Sequence, residues 1–222
     1  MRKDGRFKTR GRLRRLLVGV LFLCLLTGAL VACGQREESQ GTEAPTAMDY
    51  DAVEDWSLYV SIEGYTGLEI RQQGETPKGE NLWNELLSRV KILAYPEEQV
   101  RYYEAQKKAT YSYYGEQRGW SLEETMEKLG VTEAQITAEA RELVKEDLLY
   151  RYIVSDAGIT LTEEEKATHF DRYAEQYAQT YGYELSYVKE HMAEPLYDAM
   201  LYDKTMEYLI LNNTFVSDAT TE

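Results

Sequence analysis

Ser121-Leu122-Glu123-Glu124, Thr132-Glu133-Ala134-Gln135 and Thr162-Glu163-Glu164-Glu165 decide the fold of this chain. Each sets a hydroxyl three residues ahead of a Glu or Gln. In that pattern side chain and backbone satisfy each other's orphan donors at a helix N-terminus. The helices so opened close on Gly130, Gly158 and Gly182, residues that take left-handed backbone without a Cβ clash. The signals predict a short helix over 121–130 and another over 162–182. Between them lies a helix over 132–157 of roughly 26 residues, about 39 Å at 1.5 Å per residue.

The same reading extends in both directions. A short helix is expected over 185–192, and Pro195 starts a last one that runs to about Asn213. Toward the N-terminus, Pro96 fits a first helical position. Glu97 and Glu98 behind it suit the positive end of a helix dipole. That helix runs to residue 117, with Gly115 and Gly119 as punctuation near its end. Leu82, Trp83, Leu86, Leu87 and Val90 fall on one face of a helix of about three turns. Before it, residues 71–81 are polar and turn-rich. Trp56, Leu58, Val60 and Ile62 alternate, and Gly64 and Gly67 flank a turn ahead of Leu68-Glu69-Ile70, the pattern of a short strand and turn. The fold class expected is mainly all-α, with one or two short strands.

Residues 34–48 are rich in Gln, Glu, Ser, Thr, Gly and Ala and hold too little apolar surface to pack. They read as a flexible acidic tether over 33–54, which lifts a folded domain (55–216) away from its attachment point. Residues 217–222 read as a disordered tail. Upstream, Arg2, Lys3, Arg6, Lys8, Arg10, Arg12, Arg14 and Arg15 precede an uncharged run over 16–31. This is the layout of a signal peptide over 1–32. The run is nearly long enough to span a bilayer, so an uncleaved signal anchor is the alternative. Either way the basic flank stays inside and residues 34–222 lie outside the cytoplasm.

Leu30-Val31-Ala32-Cys33 resembles a bacterial lipoprotein lipobox. The resemblance implies cleavage before Cys33, thioether lipidation of its sulfur, and anchoring to the cell membrane. Cys24, the other cysteine, leaves with the signal. The domain then has neither disulfide nor free thiol and depends on packing. No metal site is expected, because His169 and His191 are the only histidines and neither stands in a ligand-spaced motif. Both read as solvated helix residues.

The whole chain carries 25 basic and 39 acidic side chains. The first 32 residues hold eight of the basic and one of the acidic, so residues 33–222 carry 17 and 38, a net charge of −21. Such a surface repels nucleic acid and anionic lipid headgroups and favours solubility. No Gly-rich phosphate loop, Gly-x-Ser-x-Gly elbow or cysteine nucleophile is present, so no cofactor and no catalytic residue is expected. The pairs Glu123/Glu124 and Glu163/Glu164 belong to first helical turns, where they suit the dipole.

All 19 tyrosines follow the signal. Tyr102, Tyr103, Tyr111, Tyr113 and Tyr114 crowd one helix, and Tyr173, Tyr177 and Tyr181 recur at four-residue spacing on another. Tyrosine offers a rigid apolar face with a polar tip, which suits varied contacts. A tyrosine stripe at helical spacing also serves as helix–helix core.

From Tyr95-Pro96-Glu97-Glu98 to Asn213 the chain resembles the C-terminal chaperone domain of trigger factor. Leu143-Val144-Lys145-Glu146-Asp147-Leu148-Leu149, Ile153 and the run from Gly158-Ile159-Thr160-Leu161 into Thr162-Glu163-Glu164-Glu165 carry the most characteristic part. Leu201-Tyr202-Asp203-Lys204-Thr205-Met206-Glu207-Tyr208-Leu209 and the segment around Tyr59-Val60-Ser61-Ile62 add to it. The same helical pattern is similar to the chaperone part of parvulin-type foldases. Nothing matches the family's ribosome-docking domain. Residues 71–80, ten in all, are too few for its isomerase domain, which excludes prolyl isomerisation at the family's usual site.

What the resemblance implies is elongated helical arms and an ATP-independent chaperone for unfolded or nascent secreted polypeptides. Client contacts are expected at Tyr103, Tyr111, Tyr114, Met126, Tyr173, Tyr177 and Met200. The alternatives are an isomerase-type foldase with an unrecognised site, an adaptor for one folded partner, and a homodimer that buries its aromatic stripes.

Overall fold

A computed structural model describes residues 45–217. The expected signal peptide (1–32), Cys33, the first part of the tether and residues 218–222 lie outside the described residues. Within them the fold is mainly helical, with short strands. Its helices are α1 (Lys78–Arg89), α2 (Glu97–Glu116), α3 (Leu122–Leu129), α4 (Glu133–Asp156), α5 (Glu163–Tyr181), α6 (Leu185–His191) and α7 (Ala193–Leu211). Its strands are β1 (Val60–Ser61), β2 (Glu69–Gln72), β3 (Lys91–Ile92) and β4 (Thr214–Ser217).

The helix starts follow the local chemistry. Ser121 Oγ accepts from the Glu124 amide at 3.1 Å, and Glu124 Oε2 accepts from the Ser121 amide at 2.9 Å. Thr162 and Glu165 repeat the exchange, and so do Thr132 and Gln135. Gly130, Gly158 and Gly182 all have positive φ. Two proline positions differ from expectation. Pro96 is the extended N-cap of α2 rather than its first helical residue. Pro195 sits within the first turn of α7, which opens at Ala193; amides of that turn have no helical acceptor to lose.

The described chain divides into two compact units. One comprises residues 64–86 and 156–217, the other residues 45–63 and 87–155. The first unit is built on α5, α6 and α7. Ala174, Tyr177, Ala178, Val188, Met192 and Leu196 form its buried cluster, flanked by Phe170, Tyr173 and Tyr181. The alanines allow helix axes to come close, while the larger residues fill the space between them.

Strand β2 runs parallel to β4 in this unit, with Ile70 opposite Phe215. Asn213 secures the join. Its Oδ1 accepts from the Leu68 amide at 2.8 Å, and its Nδ2 donates to the carbonyls of Tyr65 and Leu209 at 3.0 and 2.7 Å. The start of α1 packs on α7, where a Cβ at Gly79 would stand 3.2 Å from Met206 Cε. Leu82, Trp83 and Leu86 are buried as their shared face requires.

In the second unit, α4 runs back along α2. Lys108 pairs with Glu133 at 2.8 Å and Lys107 with Glu139 at 2.5 Å, while Thr137 donates to Glu104. Val100, Ile136, Ala140, Val144 and Leu148 are buried. Trp56, with 7% exposure, opens a short 3-10 turn (Trp56–Leu58) instead of the strand predicted there; pairing begins only at Val60, opposite Ile92.

The segment assigned to the tether is attached at its far end. The Met48 amide donates to Gln99 Oε1 at 2.9 Å, and the Tyr50 hydroxyl donates to Asp147 Oδ2 at 2.7 Å. A segment with little apolar content is thus held by polar side-chain contacts.

Candidate functional site

The structure separates the seven residues expected to contact a client. Tyr177 and Met200 are 4% and 3% exposed and belong to the interior of the first unit. Their periodicity is that of helix–helix core, and neither offers contact area to another chain. Tyr173 is half-buried, and its hydroxyl donates to Asp203 at 2.6 Å. Tyr103 in the second unit is likewise half-buried and donates to Asp147 at 2.5 Å. Tyr111 and Met126 are half-buried, and only Tyr114 is classed as exposed.

What the structure adds is a set of exposed residues on α2 and α3. Tyr113 and Tyr114 end α2 and Leu129 ends α3, with exposures of 55%, 38% and 45%. The Arg118 guanidinium lies 3.6 Å from the Tyr114 ring centroid and 5.9 Å from that of Trp120. Lys128 Nζ lies 5.1 Å from the Trp120 ring. Arg118 also donates to the Tyr114 carbonyl at 3.0 Å. Cations over ring faces tie Tyr114 and Trp120 to Arg118 and Lys128.

The α2 and α3 backbones meet at Gly115 and Thr125, both buried. Leu129 could have been found from sequence as the apolar residue just ahead of the Gly130 cap. Tyr113 lacks any signal that separates it from its neighbours. Leu58 and Leu93 form a second exposed apolar pair, at 66% and 59%. The Leu93 amide donates to the carbonyl of Tyr59, the neighbour of Leu58, at 2.8 Å.

The strongest electrostatic perturbations of the second unit gather on Asp147. Its Oδ2 accepts both the Tyr50 and Tyr103 hydroxyls. Burial pushes its carboxyl above the ordinary 3.8, opposed by the two phenol hydrogen bonds and by Arg151. Burial first, and then the Asp147 carboxylate, push both phenols up, so they remain donors. In the first unit, Asp203 is also raised by burial. Glu165 is pulled down to about 2, first by the hydrogen bond from Lys204 and then by the Thr162 amide. Each of these carboxylates is held in a hydrogen-bonded pair or cluster.

Among the described residues no group of three or more His, Cys, Asp or Glu could hold a metal ion. Among the same residues no helix is long and apolar enough to cross a membrane. No family model matches the chain, and neither a curated protein nor a solved structure matches it.

Proposed function

We propose that this protein is a lipid-anchored, ATP-independent holdase that shields unfolded secreted polypeptides outside the cytoplasm. One observation carries the reading: Tyr113 and Tyr114, just ahead of the α2–α3 turn, and Leu129, at the far end of α3, remain exposed in a well-capped helical unit. Exposed aromatic and aliphatic groups on a rigid frame suit weak, sequence-tolerant contact with apolar segments. The acidic surface, net −21 over residues 33–222, keeps a chain with such a patch in solution. Leu30-Val31-Ala32-Cys33 supplies the anchor, and a tether raises the effective concentration of the patch near the membrane. Release needs no nucleotide, because a client that buries its own apolar surface withdraws it from the patch.

The test is suppression of aggregation of chemically unfolded clients of several compositions, without ATP, at near-stoichiometric ratio. Suppression lost on changing Tyr113, Tyr114 and Leu129 to serine, with helicity intact, supports the reading. No suppression for any client sinks it. A single stoichiometric folded partner would move the assignment to an adaptor.

A further inference from the structure

Residues 45–59 lie along the second unit with few ties. Two short 3-10 turns, Tyr50–Ala52 and Trp56–Leu58, are capped from within the segment by Asp49 and Asp55. Between residues 45 and 58 one backbone group bonds to the body of the unit, the Met48 amide to Gln99. The other anchors are side chains. Tyr50 reaches Asp147, its ring lies 4.8 Å beneath the Arg151 guanidinium, and its centroid is 5.7 Å from that of Trp56. A segment held mainly by side chains, with most of its residues exposed, opens at lower free energy than the helices beneath it.

The receiving side is built independently of the segment. Gln99 is 2% exposed on the first turn of α2. Tyr103 follows one turn later and already donates to Asp147 Oδ2, while Arg151 stands one turn beyond Asp147 on α4. A carboxylate with a guanidinium one turn beyond it matches a phenol at two points. The hydroxyl meets the carboxylate, and the ring face meets the cation. Phenylalanine meets the cation without the first of these.

We propose that residues 45–58 are a displaceable strap, and that Gln99, Tyr103, Asp147 and Arg151 form a phenol-accepting site filled by Tyr50. When the strap lifts, the site takes a tyrosine of an extended polypeptide segment. Strap and ligand compete for one place, so the site is self-occluded until a tyrosine-bearing segment is at hand. The inference rests on the proposed function for its natural occupant and names the residue type that occupant presents.

The test uses the full chain carrying Tyr50→Ala and a fluorescent peptide with the sequence of residues 45–58. Binding of this peptide, at least about tenfold weaker for an analogue with phenylalanine in place of Tyr50, is expected from a hydrogen bond to a charged acceptor. Adding Asp147→Asn should bring the tyrosine-to-phenylalanine ratio close to one, a change that general loosening does not produce. An unrelated extended peptide bearing tyrosine should compete, and its phenylalanine version should not. Equal binding of the two strap peptides overturns the phenol site, as does no binding by a variant of intact helicity. Failure of the unrelated peptide alone overturns the ligand in trans.

If Tyr50→Ala does not fold, amide exchange of residues 48–56 in the unchanged protein decides. Exchange faster than global unfolding is expected, and exchange only through global unfolding overturns the strap. Strap-peptide binding without aggregation suppression would instead count against the holdase.

Discussion

Gly115 of α2 and Thr125 of α3 stand closer than any residue with a side chain at position 115 would allow. A Cβ there would fall well inside the contact distance of Thr125 Oγ1 and 2.9 Å from the Trp120 carbonyl oxygen. The Thr125 hydroxyl is itself fixed, donating to the Ser121 carbonyl at 2.8 Å. The close approach of α2 and α3, the helices that carry Tyr113, Tyr114 and Leu129, therefore depends on one missing methyl group.

Gly115→Ala should destabilise this unit by roughly 2 kcal/mol or more, the scale of overpacking at a site that cannot yield. Unfolding in urea measures it. Gly115→Ala combined with Thr125→Ala should recover part of the loss, because the nearest clash is gone while the Trp120 carbonyl remains. Full recovery, or a neutral single variant, would show that the crossing relaxes.

Sequence could place Gly115 near a helix end but not reveal this role, because the reason for it lies across a helix crossing. The same division runs through the whole chain. The capping exchanges at Ser121, Thr132 and Thr162 were legible because both partners lie within four residues. Strand β4 was not, since its ladder begins beside an Asn213–Leu68 hydrogen bond that spans 145 positions. The attachment of residues 48–50 was hidden for a similar reason, Tyr50 and Asp147 being 97 positions apart. Composition described how polar that segment is but not what its one tyrosine meets. Tyr177 and Met200 were misplaced because helical periodicity shows that a stripe exists without showing what covers it.

Asn213 makes the next case. One side-chain amide satisfies the Leu68 amide and the carbonyls of Tyr65 and Leu209. Asn213→Ala should cost about 2–3 kcal/mol, since partly buried backbone groups lose partners. Amide exchange at Leu68 should rise more than exchange within α5. Asn213→Asp keeps an acceptor for Leu68 but loses both donated bonds, so it should fall between. A uniform rise in exchange across the first unit would show that Asn213 contributes to global rather than local stability.

Two of the perturbed carboxylates, Glu165 and Asp147, should give pH dependences of opposite sign. Glu165 is held at about 2 against an ordinary 4.5 by Lys204, whose Nζ lies 2.6 and 2.8 Å from its two oxygens. A depressed acid contributes stability that is complete above its unfolded value and is lost as pH falls from about 4.5 to about 2. Lys204→Met should flatten the stability curve over that window. Asp147 is raised above 3.8, chiefly by burial. Its contribution is therefore complete below 3.8 and is lost as pH rises through its folded value. Asp147→Asn should remove that component, so the unchanged protein gains on the variant as the solution is acidified toward 3.8. Urea midpoints across pH for the three proteins measure both slopes, and a shared sign would contradict the assignment.

The clearest separation of surface from core comes from pairing two kinds of change in one assay. Met200, buried at 3% exposure in the first unit, should lose about 2–5 kcal/mol on replacement by alanine, through lost burial and a residual cavity. Because its side chain is buried, aggregation suppression per folded molecule, if the proposed function holds, should not move. Tyr113→Ser, Tyr114→Ser and Leu129→Ser together remove apolar area that faces solvent, so stability should change little beyond the stacking of Arg118 on Tyr114. Suppression per folded molecule should fall severalfold. Thermal unfolding and client light scattering on the same samples give both numbers. If the Met200 variant loses suppression while the surface variant keeps it, the contact surface lies elsewhere and the α2–α3 turn is only a structural corner.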